Sequence, residues 1–117
     1  SSPETPLNIC TLILAFCEKN KGICKILTRE ALSTDEVKIE EKVNHLFERF
    51  ELEIKLAFQN YQQSTKAKFH LTPTDSAGLI ISILEGKIQS FVRSNFKRKI
   101  VEEWNEYSQK LMLSIYK

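Results

Sequence analysis

The sequence lacks most of what a chemical site is built from. No Gly-rich phosphate loop occurs, and no alternating run is long enough for a useful strand. From Leu32 to Thr72 there is no glycine or proline to punctuate the chain. The longest uninterrupted apolar run, Leu12–Cys17, falls far short of the ~20 residues that a membrane span needs. No basic segment followed by an apolar one opens the chain, so no signal peptide is expected. The chain starts on SSPETP without an initiator Met and is expected to be a piece of a longer protein. Cysteines are few and odd in number: Cys10, Cys17 and Cys24. On one straight helix Cys10 and Cys17 would stand ~10.5 Å apart along the axis, beyond the reach of a disulfide. With no histidine nearby they do not form a zinc pattern. They are expected to be small buried hydrophobes in a reducing cytoplasm. The two histidines, His45 and His70, sit beside no activating Ser or Cys motif. Glu40-Glu41 and Glu102-Glu103 lie among lysines and arginines and read as solvated charge. No catalytic residue, cofactor or metal is expected, and a net charge of +2 does not by itself imply nucleic-acid binding.

What the chain does contain is helical periodicity. At 117 residues it is one domain, and a hydrophobic content of 42% with 27% charged residues excludes a disordered chain. Val43, Leu46, Phe47, Phe50, Ile54, Ala57, Phe58 and Tyr61 recur at i, i+3, i+4, i+7 and predict one long helix over about Thr34–Tyr61, capped by Ser33-Thr34-Asp35-Glu36. This Phe-rich stripe is expected to be the core axis. Ahead of it, Ser2 or Thr5 caps a helix running to about Lys19, apolar nearly all round, and Asn20-Lys21-Gly22 reads as its stop. A short helix is expected over about Ile23–Leu32, and Gln62–Pro73 reads as a polar loop.

The next helix, about Thr74–Lys97, places Ala77, Ile80, Ile81, Leu84, Ile88, Phe91 and Val92 on one face, with Leu79 and Ile83 extending the apolar surface to a second. Gly78 and Gly86 inside it point to close packing, either within the chain or against a second copy, since each costs about 1 kcal/mol against Ala. Phe96-Lys97-Arg98-Lys99 is a basic break. Arg93, Lys97, Arg98 and Lys99 form the densest basic patch, suited to a solvated helix end or an acidic partner. A last helix spans about Ile100–Ile115, with Trp104, Tyr107 and Leu111 in register. The expected fold is all-α, five antiparallel helices.

Several strings carry a resemblance: Phe16-Cys17-Glu18-Lys19-Asn20, Ile26-Leu27-Thr28, Glu30-Ala31-Leu32, Val43 to Glu51 (VNHLFERFE), Glu85-Gly86 and Phe91 to Lys97 (FVRSNFK). Over roughly Leu12 to Lys99 the chain resembles the C-terminal domain of the SlmA-type nucleoid occlusion factors, a branch of the TetR family of dimeric DNA-binding regulators. The resemblance implies a homodimer in which the last two long helices of each subunit form a four-helix bundle, with Ile80, Leu84, Ile88, Phe91, Trp104 and Leu111 at the interface. It implies a groove for the C-terminal tail of the division protein FtsZ, of which Leu12, Ala15, Lys19 and Asn20 would form one side. Leu12 and Ala15 would line its floor, and Lys19 and Asn20 would meet acidic and backbone groups. Where the family favours Gly and Arg, this chain has Ala15 and Lys19, and Lys lacks the bidentate fork. DNA would be met only through an N-terminal helix-turn-helix, which these residues do not contain. No membrane partner is implied, and the setting would be cytoplasmic and nucleoid-associated. The alternative is the ligand-binding domain of an ordinary TetR-type repressor, with Phe47, Phe50, Phe58 and Phe91 lining a cavity.

Overall fold

A computed structural model of the chain describes residues 2–29 and 37–117. Among these residues the chain forms five α-helices: α1 (Thr5–Glu18), α2 (Lys21–Leu27), α3 (Val37–Thr65), α4 (Pro73–Arg93) and α5 (Ile100–Ile115). The all-α expectation holds. At ~1.5 Å per residue, the 29 residues of α3 give ~43 Å. That one helix sets most of the 47 Å long dimension.

Local sequence explains where the helices begin and end. Pro6 sits in the first turn of α1, where its missing N–H costs no helix bond. The α1 helix stops at Glu18 as expected, but Lys21 and Gly22 already belong to α2, whose N-cap residue is Asn20. The expected stop is thus a sharp corner between two helices. The α2 helix is shorter than expected: it ends at Leu27, and Arg29 takes a left-handed φ of 64°. Residues 30–36, with the Ser33–Glu36 cap, lie outside the described residues. The α3 helix runs past Tyr61 to Thr65, because exposed polar residues can continue a helix and the Thr65 hydroxyl donates back to Tyr61 O at 2.6 Å. The connection to α4 shrinks accordingly to residues 66–72. Thr72 caps α4 by accepting from Asp75 N, with Pro73 in the first turn.

The end of α4 comes four residues earlier than expected, and its cause is specific. Asn95 and Phe96 have φ values of 57° and 65°. Phe96 N donates to Phe91 O at 2.7 Å and Asn95 N to Val92 O at 2.9 Å, while the Phe91 and Phe96 rings pack edge to face 5.2 Å apart. This is a Schellman stop with Asn in the left-handed position and the usual apolar clasp across it.

The hub of the fold is α4, which touches all four other helices, rather than the α3 stripe. Ala77, Ile80, Ile81, Leu84, Ile88 and Phe91 of α4 are buried among Leu7, Cys10, Leu14 and Cys17 of α1, Cys24 of α2, Ile54 and Phe58 of α3, and Ile100, Trp104 and Ile115 of α5. The stripe on α3 is only partly covered: Ile54 and Phe58 are fully buried, Phe47 and Phe50 half-buried, and Leu46 exposed. Buried polar groups find partners. The Trp104 indole N–H donates to Thr11 Oγ1 at 2.8 Å, and the Cys24 thiol donates to Cys17 O at 3.1 Å. The two chain ends are tied down together. Tyr116 bridges Phe69, Lys117 N donates to Lys68 O, and the Tyr116 hydroxyl donates to Pro3 O at 2.7 Å.

Ile80, Leu84, Ile88, Phe91 and Trp104, expected at a dimer interface, are between 0% and 4% exposed within the single chain. They have no surface left to offer a second subunit and form the core of this one. Leu111 alone of that set keeps some exposure, packed at the margin of the core.

Candidate partner-binding surfaces

Three free cysteines are buried where α1 meets its neighbours. Burial pushes the Cys10 and Cys17 thiols up to about 12 and raises Cys24 as well. Such thiols are inert as nucleophiles. His45 and His70 are both exposed, and among the described residues no group of three or more His, Cys, Asp or Glu side chains could hold a metal ion. No described helix is long and apolar enough to cross a membrane.

The ligand cavity of the alternative reading does not assemble from its four phenylalanines. Phe47 packs on Phe50, Phe58 on Phe69 and Tyr116, and Phe91 on Phe96, in three separate contacts. Phe47 alone borders a cleft of about 380 Å³, and Glu48, Glu51 and Glu85 line the same cleft.

Exposed large apolar side chains occur on every helix, including Ile23 and Ile26 of α2, Leu46, Leu52 and Leu56 of α3 and Leu113 of α5, and two places are set apart by the groups beside them. The first is the outer side of α1. Cys10, Leu14 and Cys17 turn inward, while Leu12 is 71% exposed and Phe16 52%. Lys19 is exposed at the helix end, and Ala15 is half-buried beside this line. Leu12, Ala15, Phe16 and Lys19 stand at i, i+3, i+4 and i+7 and so share one helix face. Asn20 completes the end of the stripe, but its Nδ2 already donates to Phe16 O at 2.7 Å, which leaves Oδ1 for any partner. All four sequence-predicted groove residues therefore gather at one surface. Phe16, outside the predicted set, shares their face. Its spacing of four from Leu12 was the signal for it.

The second place is the outer side of α4 and α5. Leu79 is exposed, Ile83, Tyr107 and Leu111 are partly buried at the core margin, and Lys87 lies 5.3 Å over the Tyr107 ring. Lys87 and Arg98 both bind Glu103, and hydrogen bonds first from Arg98 and then from Lys87 hold its carboxyl below the usual glutamate value. A side chain at Gly86 would meet nothing within 4 Å, and one at Gly78 only the end of Glu51 at 3.9 Å. Packing inside the chain therefore requires neither glycine.

Fold and surfaces together define a helical domain that presents apolar side chains on a packed core. A family model described as a tetracyclin repressor-like C-terminal domain, of the SlmA-like type, matches residues 7–115, and the chain belongs to that family. Its relatives include the nucleoid occlusion factor SlmA of Marinomonas sp. (strain MWYL1), 35% identical over 112 residues that cover 91% of this chain and 56% of that protein. The SlmA of Idiomarina loihiensis is 33% identical over 108 residues, covering 89% of this chain and 55% of that protein. The SlmA of Aliivibrio fischeri (strain MJ11) is 33% identical over 96 residues, covering 82% and 49%. The chain spans about half the length of the curated relatives it matches.

Proposed function

We propose that this domain is the dimerisation and partner-binding half of a SlmA-type nucleoid occlusion factor, which binds the C-terminal tail of FtsZ and so restrains division-ring assembly over the chromosome. The observation that carries this reading is the bare α1 stripe. Leu12 and Phe16 stay open to solvent on a helix whose other sides are packed against α3, α4 and α5. An extended peptide laid along the stripe would cover both apolar side chains and bring an acidic group to Lys19. The activity is display rather than chemistry. Sequence-specific DNA contact would come from a helix-turn-helix outside these residues, placing the protein at the nucleoid in the cytoplasm.

Pairing of two copies would use the open side of α4 and α5: Leu79, Ile83, Gly86, Tyr107 and Leu111. Gly86 faces open space in the single chain, where a second helix could approach closely. The residues buried beneath this face would support it without touching the partner.

The test is fluorescence anisotropy of a labelled FtsZ C-terminal tail peptide, titrated with the longer protein that carries this domain. A fully buried Leu is worth ~1.5–3 kcal/mol, and Leu12 has most of its surface still to lose. Leu12→Ala is therefore expected to weaken binding roughly 5–30-fold, with Phe16→Ala at least as damaging and Lys19→Glu weaker still. Failure of the folded, dimeric protein to bind the peptide would refute the proposal.

A further inference from the structure

The basic run at the α4–α5 corner is larger in space than in sequence. The Schellman stop turns Phe96 back onto Phe91 and leaves its ring against α2. Lys21 and Lys25 both reach over this ring, their Nζ atoms 5.5 and 5.8 Å from its centre. Glu18 Oε2 accepts from Val101 N at 3.3 Å, which ties the end of α1 to the start of α5. Lys21, Lys25, Arg93, Lys97 and Lys99 are thus brought to one corner from two separate stretches of chain. All five are exposed, and none makes an ion pair among the described residues. Glu103 is taken up by Arg98 and Lys87, while Glu18, which accepts from Val101 N, and the exposed Glu102 still leave the five cations in excess.

We infer that this corner is an auxiliary, sequence-independent contact for the phosphate backbone of duplex DNA, made by the domain itself.

Three features favour that occupant over an acidic peptide or a single strand. Four of the five free cations are lysines, which act as point charges rather than carboxylate forks; only Arg93 among the five has a fork, and that of Arg98 is spent on Glu103. A peptide also needs apolar anchors. On α2 the lysines at 21 and 25 share the face over Phe96, and the exposed Ile23 and Ile26 lie about 200° and 140° round from Lys21 at ~100° per residue, off that face. Finally, the Phe96 ring has Phe91 at one side and the two lysines above it, so no platform remains on which an unpaired base could stack. What remains is bare positive charge on a rigid corner, which contacts phosphates without reading bases.

The experiment is binding of the 117-residue chain to a labelled duplex of arbitrary sequence across a salt series. If about four phosphates are neutralised, log K falls with log salt at a slope of about −3.6, from roughly −0.9 per phosphate. Replacing Lys21, Lys25, Lys97 and Lys99 together with Gln should flatten that slope towards −1 and abolish measurable binding at moderate salt. All four are exposed, so the thermal midpoint should not move. The control variant replaces Lys66, Lys68, Lys110 and Lys117 with Gln, the same change in net charge elsewhere on the surface, and should keep the parent slope. Equal losses in the two variants would reduce the effect to net charge and overturn the inference, as would no binding at low salt. Binding of a poly-glutamate peptide through these lysines, without duplex binding, would assign the corner to an acidic protein partner instead.

Discussion

If Leu84 belongs to the core of one chain, its truncation must cost fold stability and leave pairing alone. Leu84 is 0% exposed, on a helix that touches all four others. Leu84→Ala removes hydrocarbon worth ~0.8 kcal/mol per methylene and leaves a cavity, for a total of about 2–5 kcal/mol. With a urea m value of ~1–3 kcal/mol per M, the midpoint should fall by roughly 1–3 M. The assay pairs urea unfolding, followed by circular dichroism, with sedimentation equilibrium at urea concentrations where the variant is still folded. The expected result is a lower midpoint with an unchanged association constant. Leu79→Ala, at a 38% exposed position on the outer side of the same helix, should do the reverse and change stability by under about 1 kcal/mol. A Leu84→Ala variant that unfolds like the parent but sediments as a monomer would refute the assignment of this residue to the core.

Three further outcomes follow from individual contacts. Thr11→Val keeps the shape but strands the Trp104 indole N–H. A buried donor left without a partner costs about 1–3 kcal/mol, so Thr11→Val should lower the urea midpoint while Thr11→Ser stays near the parent. Asn95 holds a left-handed φ of 57°, which glycine adopts without steric cost. Asn95→Gly should therefore match or exceed the parent in thermal midpoint, and Asn95→Val should lose about 1–2 kcal/mol. The Glu103 carboxyl is held below its ordinary value in the fold. Its contribution is thus fully present above the unfolded-state value of about 4.3 and is lost as pH falls through the lowered folded-state value. The stability gap between the parent and Glu103→Gln should be present at pH 7 and shrink below pH 4 in thermal melts.

Periodicity made the helices and most of the core legible. Of the α4 stripe, Ala77, Ile80, Ile81, Leu84, Ile88 and Phe91 are buried, and Val92 is partly buried at its end. Periodicity tells which side chains share a face, but not which neighbour covers that face. By pattern alone Ile80, Leu84 and Ile88 suit a second subunit equally well, but helices of the same chain fill the space against them. The second apolar face, Leu79 and Ile83, was visible in the same heptads and is the one left open. Helix ends were less legible where they depend on backbone conformation. Ser94-Asn95-Phe96 looks helical by composition, and only the left-handed φ values and the Phe91–Phe96 clasp end the helix there. The same clasp gathers α2 lysines and corner lysines that stand more than 70 residues apart, a proximity that no local pattern contains. On α1 the groove residues were placed by resemblance. Spacing puts Phe16 on the face of Leu12, but an all-round apolar helix does not show by itself which face stays bare.

The central position of α4 also constrains how the proposed surfaces can communicate. The α1 stripe and the α4–α5 face lie on helices packed against a common hub, with Leu84 and Trp104 filling the space between them. Close-packed cores transmit displacement but do not deform continuously. Pairing through Leu79 and Ile83 would therefore fix the spacing of two α1 stripes without altering either one. On that argument, Leu79→Asp should separate the copies yet leave each folded domain with the parent's affinity for a single tail peptide, while an assay needing two tails at once should lose its avidity. If Leu79→Asp instead removed single-peptide binding from a folded monomer, the groove would have to be built across both subunits. The α1 stripe would then be only part of the site rather than its principal wall.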